Sequence, residues 1–222
     1  VSTEDTRMSP RIPARWYFDI VSPYAYLHLK RFGELHPALD IECVPVLFAG
    51  LLKHWDNKGP AEMAPKRLHT YRSCVWAAAQ HGIPFRLPPR HPFNPLHGQR
   101  LLVARGAPRA AVEAAYDLVW GEGRDLAADW PLFCERLGVG VAEAAALIAD
   151  PAVKQKLIDN TANAAAQGVF GVPTLSFNGQ NFWGSDAIEW ANAYVADPRM
   201  FDAGEMKRAA EIEIGAVRKE AG

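Results

Sequence analysis

No two of the three cysteines, Cys43, Cys74 and Cys134, stand in a Cys-x-x-Cys pair, so the chain writes neither a dithiol redox centre nor a zinc knuckle. Their expected role is that of small buried apolar residues. The histidines at 28, 36, 54, 69, 81, 91 and 97 include no His-Glu-x-x-His pattern and no ligand-like grouping, and no metal site is expected. An excess of either charge is also missing. Lys+Arg number 24 against 25 Asp+Glu, and the local basic cluster Arg86, Arg90 and His91 is too small for a nucleic-acid surface. No apolar run approaches the roughly 18–20 residues of a membrane span, and Val1 to Ala14 lacks the apolar core of a secretion signal. The expectation is a cytoplasmic protein that meets neither membrane nor nucleic acid.

What the chain does have, in 222 residues, is material for a substantial core and a patterned order of elements. Residues 1–14, with Pro10 and Pro13 among small and polar neighbours, read as a flexible arm. Trp16 to Val21 then forms an aromatic and β-branched run suited to a buried strand, and Ser22-Pro23 opens a helical segment from Tyr24 to His36. Serine fits the cap and proline the first helical position, because the first amides of a helix lack internal partners. Those same amides attract an anion, so Ser22 is either a plain cap or one wall of an anion site. Ile41 to Leu47 reads as a second strand, and a helix crossing between the two implies a parallel pair.

Phe48 to Lys53 predicts a short helix before a polar loop. Leu68, Tyr71, Val75, Trp76 and Ala79 space as one face of a helix over 65–81, and the proline-dense stretch Phe85 to Pro95 must be extended. Further helices are expected at 96–105, 109–120, 130–137, 141–150 and 151–167. Gly171 to Phe177 reads as a strand, Asn178-Gly179 as a hairpin turn, and Gln180 to Trp183 as its partner, followed by a helix opened by Gly184-Ser185-Asp186. Asp186 with Glu189 matches a capping box. The fold class is therefore α/β, a sheet built from both ends of the chain and interrupted by an all-helical insertion.

This order, carried by Ser22-Pro23-Tyr24, Leu51-Leu52-Lys53, Asn57 with Gly59-Pro60-Ala61, Trp120-Gly121-Glu122-Gly123, Gly171-Val172-Pro173-Thr174 and Trp183-Gly184-Ser185-Asp186, resembles the thioredoxin-like fold of the DsbA superfamily. Two branches resemble it most: 2-hydroxychromene-2-carboxylate isomerases and kappa-class glutathione transferases, where serine replaces the first redox cysteine. The resemblance implies a discontinuous thioredoxin-like domain over 15–59 and 168–197, a helical insertion domain over 60–167 and a tail over 198–222.

The resemblance further implies glutathione as cofactor, with Ser22 as the catalytic residue that holds its thiolate. Asn57, Val172, Pro173, Trp183, Ser185 and Asp186 would bind the rest of it. A proline bond is cis only about once in twenty, so the residues alone favour trans at Val172-Pro173, and the resemblance reverses this. Tyr24, Lys53 and Arg90 are candidates for a small aromatic carboxylate substrate, Lys53 from its place near the expected mouth and Arg90 from its charge. Trp55 and Phe93 are further candidates for aromatic walls. The implied activity is isomerisation by thiolate addition, bond rotation and elimination at a carbon–carbon double bond. The alternatives are a transferase that releases a conjugate and a non-catalytic ligand-binding or chaperone-like relative. Relatives are often dimers, so a homodimer is expected. Two departures stand out: Ala187 where the family usually has arginine, and Ser73-Cys74-Val75 where isomerases often carry an acidic residue and an arginine.

Overall fold

The computed structural model describes residues 11–216. Its sheet has four strands, β1 (Ile12–Phe18), β2 (Leu39–Pro45), β3 (Thr174–Phe177) and β4 (Gln180–Trp183), in the order β2-β1-β3-β4. β1 and β2 are parallel, with Ile12 opposite Leu39 and Phe18 opposite Pro45. A parallel pair needs a crossover, and α1 (Pro23–Lys30) with the 3-10 turn Phe32–Glu34 supplies it. β3 runs antiparallel to β1 with Tyr17 opposite Thr174, and the β3–β4 hairpin closes on Asn178 and Gly179 at φ +49° and +76°. Positive φ at both central residues is what a two-residue type I′ turn demands.

The remaining helices are α2 (Phe48–His54), α3 (Ala64–Gln80), α4 (Leu96–Ala104), α5 (Arg109–Tyr116) with a π-helical extension Asp117–Gly121, α6 (Trp130–Arg136), α7 (Val141–Ala149), α8 (Pro151–Ala166), α9 (Ile188–Ala196) and the short α10 (Gly204–Arg208). Among the described residues no strand falls between 60 and 167.

Alternation along β1 distributes its side chains to two layers. Trp16 and Phe18, stacked with centroids 4.9 Å apart, enter a core shared with Tyr26 of α1 and with Tyr116, Trp120 and Phe133 of the helical segment. Tyr17 faces the other way, into a smaller core with Val44, Val46, Leu51, Ala164, Ala165, Val169 and Val172. The three cysteines are buried and unpaired.

The sequence-based boundaries need correction in several places. The arm expected over 1–14 does not extend to Ala14, because Ile12, Pro13 and Ala14 pair with Leu39, Asp40 and Ile41; residues 1–10 lie outside the described residues. β1 stops at Phe18 rather than Val21, since the Asp19 side chain takes the Val21 and Phe48 amides and turns the chain out of the ladder. α1 ends at Lys30 rather than His36. On α3 the buried face is Thr70, Cys74 and Ala78, while Leu68, Val75 and Trp76 are exposed. Small side chains let α3 approach α1 closely, and the bulky ones are left outside. α8 packs on α4 and α7 of the helical segment and also, with Ala164 and Ala165 in the smaller core, on α2 and β2, so it joins that segment to the sheet. α9 starts at Ile188 with Ala187 as its N-cap, so the Asp186–Glu189 capping box does not form.

Candidate active site

The register of β1 with β3 builds the site. Tyr17 lies opposite Thr174 in an antiparallel pair, so the chain leaving β1 and the chain entering β3 meet at one end of the sheet. The carboxyl end of β2, followed by α2, lies at that end too. Parallel strands commonly gather ligands there. Ser22 is the N-cap of α1: its Oγ accepts the Ala25 amide at 3.3 Å and donates to the Val172 carbonyl at 3.3 Å. Pro23 follows at the first helical position, and the Val172–Pro173 bond is cis. The Val172 amide has no acceptor among the described residues, although the residue is 7% exposed. A buried hydroxyl at a helix start beside an unpaired amide is a place for an anion and for an extended ligand backbone.

Behind Ser22, the loop is held from the insertion. Each of the four consecutive carbonyls 18–21 receives one side-chain donor. Gln99 Nε2 of α4 donates to Phe18 (3.0 Å) and also to Val46 (2.7 Å), Tyr116 Oη to Asp19 (2.8 Å) and Trp120 Nε1 to Ile20 (2.8 Å). His91 Nε2 lies 2.8 Å from the Val21 carbonyl. A carbonyl can only accept, so Nε2 carries a proton, and in the neutral imidazole the one Tyr71 hydroxyl proton is shared between Nδ1 at 2.8 Å and the His91 carbonyl at 3.0 Å. Burial lowers the His91 pKa, which favours this neutral form. Asp19 is buried, and desolvation pushes its carboxyl up to about 7 despite the two amides it accepts.

Several expected site residues are brought together around this corner. Pro173 accepts the Gly184 amide at 3.0 Å, which ties the Val172–Pro173 turn to the Trp183-Gly184-Ser185-Asp186 segment. Trp183 is 53% exposed, packs against Phe170 with centroids 5.1 Å apart, and lies where any Cβ on Gly171 would collide with it. The Ser185 carbonyl accepts from Arg31 Nη1 at 3.0 Å, so the end of α1 positions this turn; Asp186 is exposed beside it.

Other candidates are used differently. Tyr24 Oη bonds Ser73 Oγ at 3.2 Å and joins α1 to α3. Trp55 donates its indole N–H to the Val169 carbonyl at 3.0 Å, and Phe93 packs on His91 and Trp120. The Asn57 side chain accepts the following Lys58 amide at 2.8 Å and so shapes its own loop; Lys53 is exposed on α2. Arg90 is exposed and holds Asp125 through Nε and Nη2 at 2.7 and 2.6 Å, which engages one edge of its guanidinium.

Sequence reasoning missed Asp19, His91 and Gln99. Asp19 was legible as the one charge within an aromatic and β-branched run, whereas nothing local marks His91 or Gln99. Two shallow depressions, of about 510 and 270 Å³, are lined by residues such as Arg15, Glu42 and Gln167 or His36 and Arg109, and neither includes Ser22. They hold no converging buried polar groups, so the corner at Ser22 is the chemically equipped place. Among the described residues no three His, Cys, Asp or Glu side chains gather as for a metal ion, and no helix is long and apolar enough to cross a membrane.

Comparison with known proteins agrees with this architecture. The family described as DSBA-like thioredoxin domain matches residues 15–196. A Caenorhabditis elegans protein named glutathione S-transferase kappa 2 is 27% identical over 216 residues, covering 86% of this chain and 95% of that one. A 2-hydroxychromene-2-carboxylate isomerase of Sphingobium xenophagum is 27% identical over 190 residues, covering 82% and 97%. The solved structure of a 2-hydroxychromene-2-carboxylate isomerase superposes with a TM-score of 0.72 at 22% identity, over 91% of this chain and all of that one.

Proposed function

The chain belongs to the DSBA-like thioredoxin family, and from that premise we propose that it is a cytoplasmic glutathione-dependent isomerase of the 2-hydroxychromene-2-carboxylate type. The observation that carries the reading is the Ser22 hydroxyl at the start of α1, 3.3 Å from the Val172 carbonyl, with alanine and not cysteine at position 25. When bound, glutathione supplies a nucleophilic thiolate able to add reversibly to an activated double bond.

The residues present fit that ligand. Ser22 exchanges its long bond to Val172 for one to sulfur, and the amides that follow it in α1 add their dipoles. A free thiol ionises near 8.5, so lowering it by about two units requires roughly 2.7 kcal/mol, within the reach of a hydroxyl and helix-start amides together. The amide and carbonyl of Val172 suit an extended peptide paired as an added strand. Ser185 and Asp186 are the proposed partners of the γ-glutamyl amine and carboxylate, and the exposed Trp183 lies next to them in the chain. Serine cannot close a disulfide, so the corner keeps a thiolate without a redox cycle. Lys53, Tyr24 and Arg90 remain the candidates for a small aromatic carboxylate, and a homodimer is the proposed assembly.

Relatives named glutathione S-transferase kappa support a kappa-type transferase as the second reading. Mass balance separates the two. Incubation with glutathione and 2-hydroxychromene-2-carboxylate should give isomer at constant free glutathione, whereas a growing conjugate with falling glutathione establishes the transferase. Absence of heat on titration with millimolar glutathione removes both in favour of a non-catalytic relative.

A further inference from the structure

The four carbonyls of residues 18–21 are the only backbone acceptors between the end of β1 and Ser22, and each takes a donor from a different part of the helical segment. Three of those donors, Gln99, Tyr116 and Trp120, come from fully buried side chains. The fourth, His91, is half-buried, belongs to the irregular proline-dense stretch and grips the carbonyl next to Ser22. Its ring is fixed on several sides: Tyr71 Oη at Nδ1, Trp120 edge-on at 5.2 Å and Phe93 at 5.9 Å.

From this we infer that His91 is a positioning residue for the anion site: by donating to the Val21 carbonyl it sets the orientation of the Ser22 hydroxyl and of the first amides of α1 toward a bound thiolate. The inference rests on the glutathione reading for the ligand, but the mechanical part does not. An unpaired Val21 carbonyl would seek another donor, in competition with the bonds that hold the Ser22 amide to the Asp19 carbonyl at 2.9 Å and the Ser22 hydroxyl to the Val172 carbonyl at 3.3 Å. The role belongs to the Nε2 proton, so an amide side chain that places an N–H there should substitute, and a hydrocarbon should not. Tyr71 is one step further out, holding the ring by Nδ1.

The test compares wild type with His91→Leu, His91→Gln and the milder Tyr71→Phe. Amide hydrogen exchange over residues 19–26 needs no ligand. It should rise about tenfold in His91→Leu, less in Tyr71→Phe, and stay within about threefold of wild type in His91→Gln. With glutathione present, absorbance titration of the bound thiolate should give a pKa about one unit higher in His91→Leu than in wild type, again restored by His91→Gln. Unchanged exchange and thiol pKa in His91→Leu overturn the inference, and so does a His91→Gln variant as impaired as His91→Leu. If His91→Leu does not fold, Tyr71→Phe and His91→Gln decide by the same two readouts. If wild type binds no glutathione, the functional reading fails while the exchange comparison still judges the positioning role.

Discussion

The Asp19 carboxylate accepts the Phe48 amide across 2.9 Å, joining the loop that ends β1 to the first residue of α2. It does so without a cationic partner and at 1% exposure, and this has a consequence for stability. Asp19 is raised from 3.8 to about 7 by desolvation, so between these values the folded chain holds a proton that the unfolded chain has lost. That contribution is complete below about pH 4 and is lost as pH rises through 7. His28, desolvated beside Trp16, moves from 6.5 to about 3, so its contribution has the opposite sign: complete above 6.5 and lost as pH falls toward 3. The two windows overlap, and wild-type stability is expected to be nearly flat from about pH 4 to about pH 6.5. Asp19→Asn should uncover the His28 slope, with a urea midpoint that climbs over the same range. A wild-type midpoint that already climbs steeply would show that Asp19 stays ionised in the folded protein.

Gly98 lets α4 reach the loop before Ser22. A Cβ there would lie 2.5 Å from Ile20 Cδ1 and 3.3 Å from Phe133 Cζ, both in fully buried side chains. Gly98→Ala should cost about 1–3 kcal/mol by overpacking. Gly33→Ala is the control, because nothing lies within 4 Å of a Cβ at that position. Thermal denaturation of the two variants checks this, and equal melting temperatures would mean that the α4 contact yields freely.

Ser22→Ala should raise the pKa of bound glutathione thiol and cut turnover, while the lost cap costs about 1 kcal/mol of stability. Cys74→Ser, at a fully buried site on α3, should leave turnover nearly intact. The double substitution Ser22→Cys with Ala25→Cys writes a Cys-Pro-Tyr-Cys dithiol at the helix start, and it should gain insulin-reducing activity that wild type lacks. Failure of that variant to reduce insulin would argue that the corner no longer supports a reactive thiolate.

Arg31 Nη1 holds the Ser185 carbonyl at 3.0 Å from a side chain that is only 15% exposed. Arg31→Ala should weaken glutathione binding by about 2- to 12-fold, the range of one hydrogen bond, with little change in turnover at saturation. Calorimetry and steady-state kinetics together test it; a fall in saturated turnover with unchanged affinity would place Arg31 elsewhere in the reaction.

The elements that declare themselves by local pattern were legible. Ser22-Pro23 as a helix start, the Asn178-Gly179 hairpin and the alanine-rich helices follow from capping, turn and propensity rules that need no tertiary information. The Trp120-Gly121-Glu122-Gly123 motif was legible only as a string. In the fold, Trp120 reaches Ile20, Gly121 lies against the Tyr26 hydroxyl, and Gly123 at φ +72° fits beneath Arg86. Periodicity misled on α3, because hydrophobic spacing alone does not tell a buried face from an exposed one when the neighbour demands small residues. It was silent on His91 and Gln99, whose partners lie 70 and 81 residues away.

Those separations bear on how the protein comes into being. During synthesis Ser22 emerges early, yet its loop lacks the His91, Tyr116 and Trp120 donors until the middle of the chain has been made, and Val172 arrives 150 residues after Ser22. At roughly 5–20 residues per second, the nascent chain spends about 8 to 30 seconds between the first of these residues and the last. The corner at Ser22 therefore cannot close before Val172 has been made, and a ribosome-bound chain stalled before that residue would carry the serine without its partner.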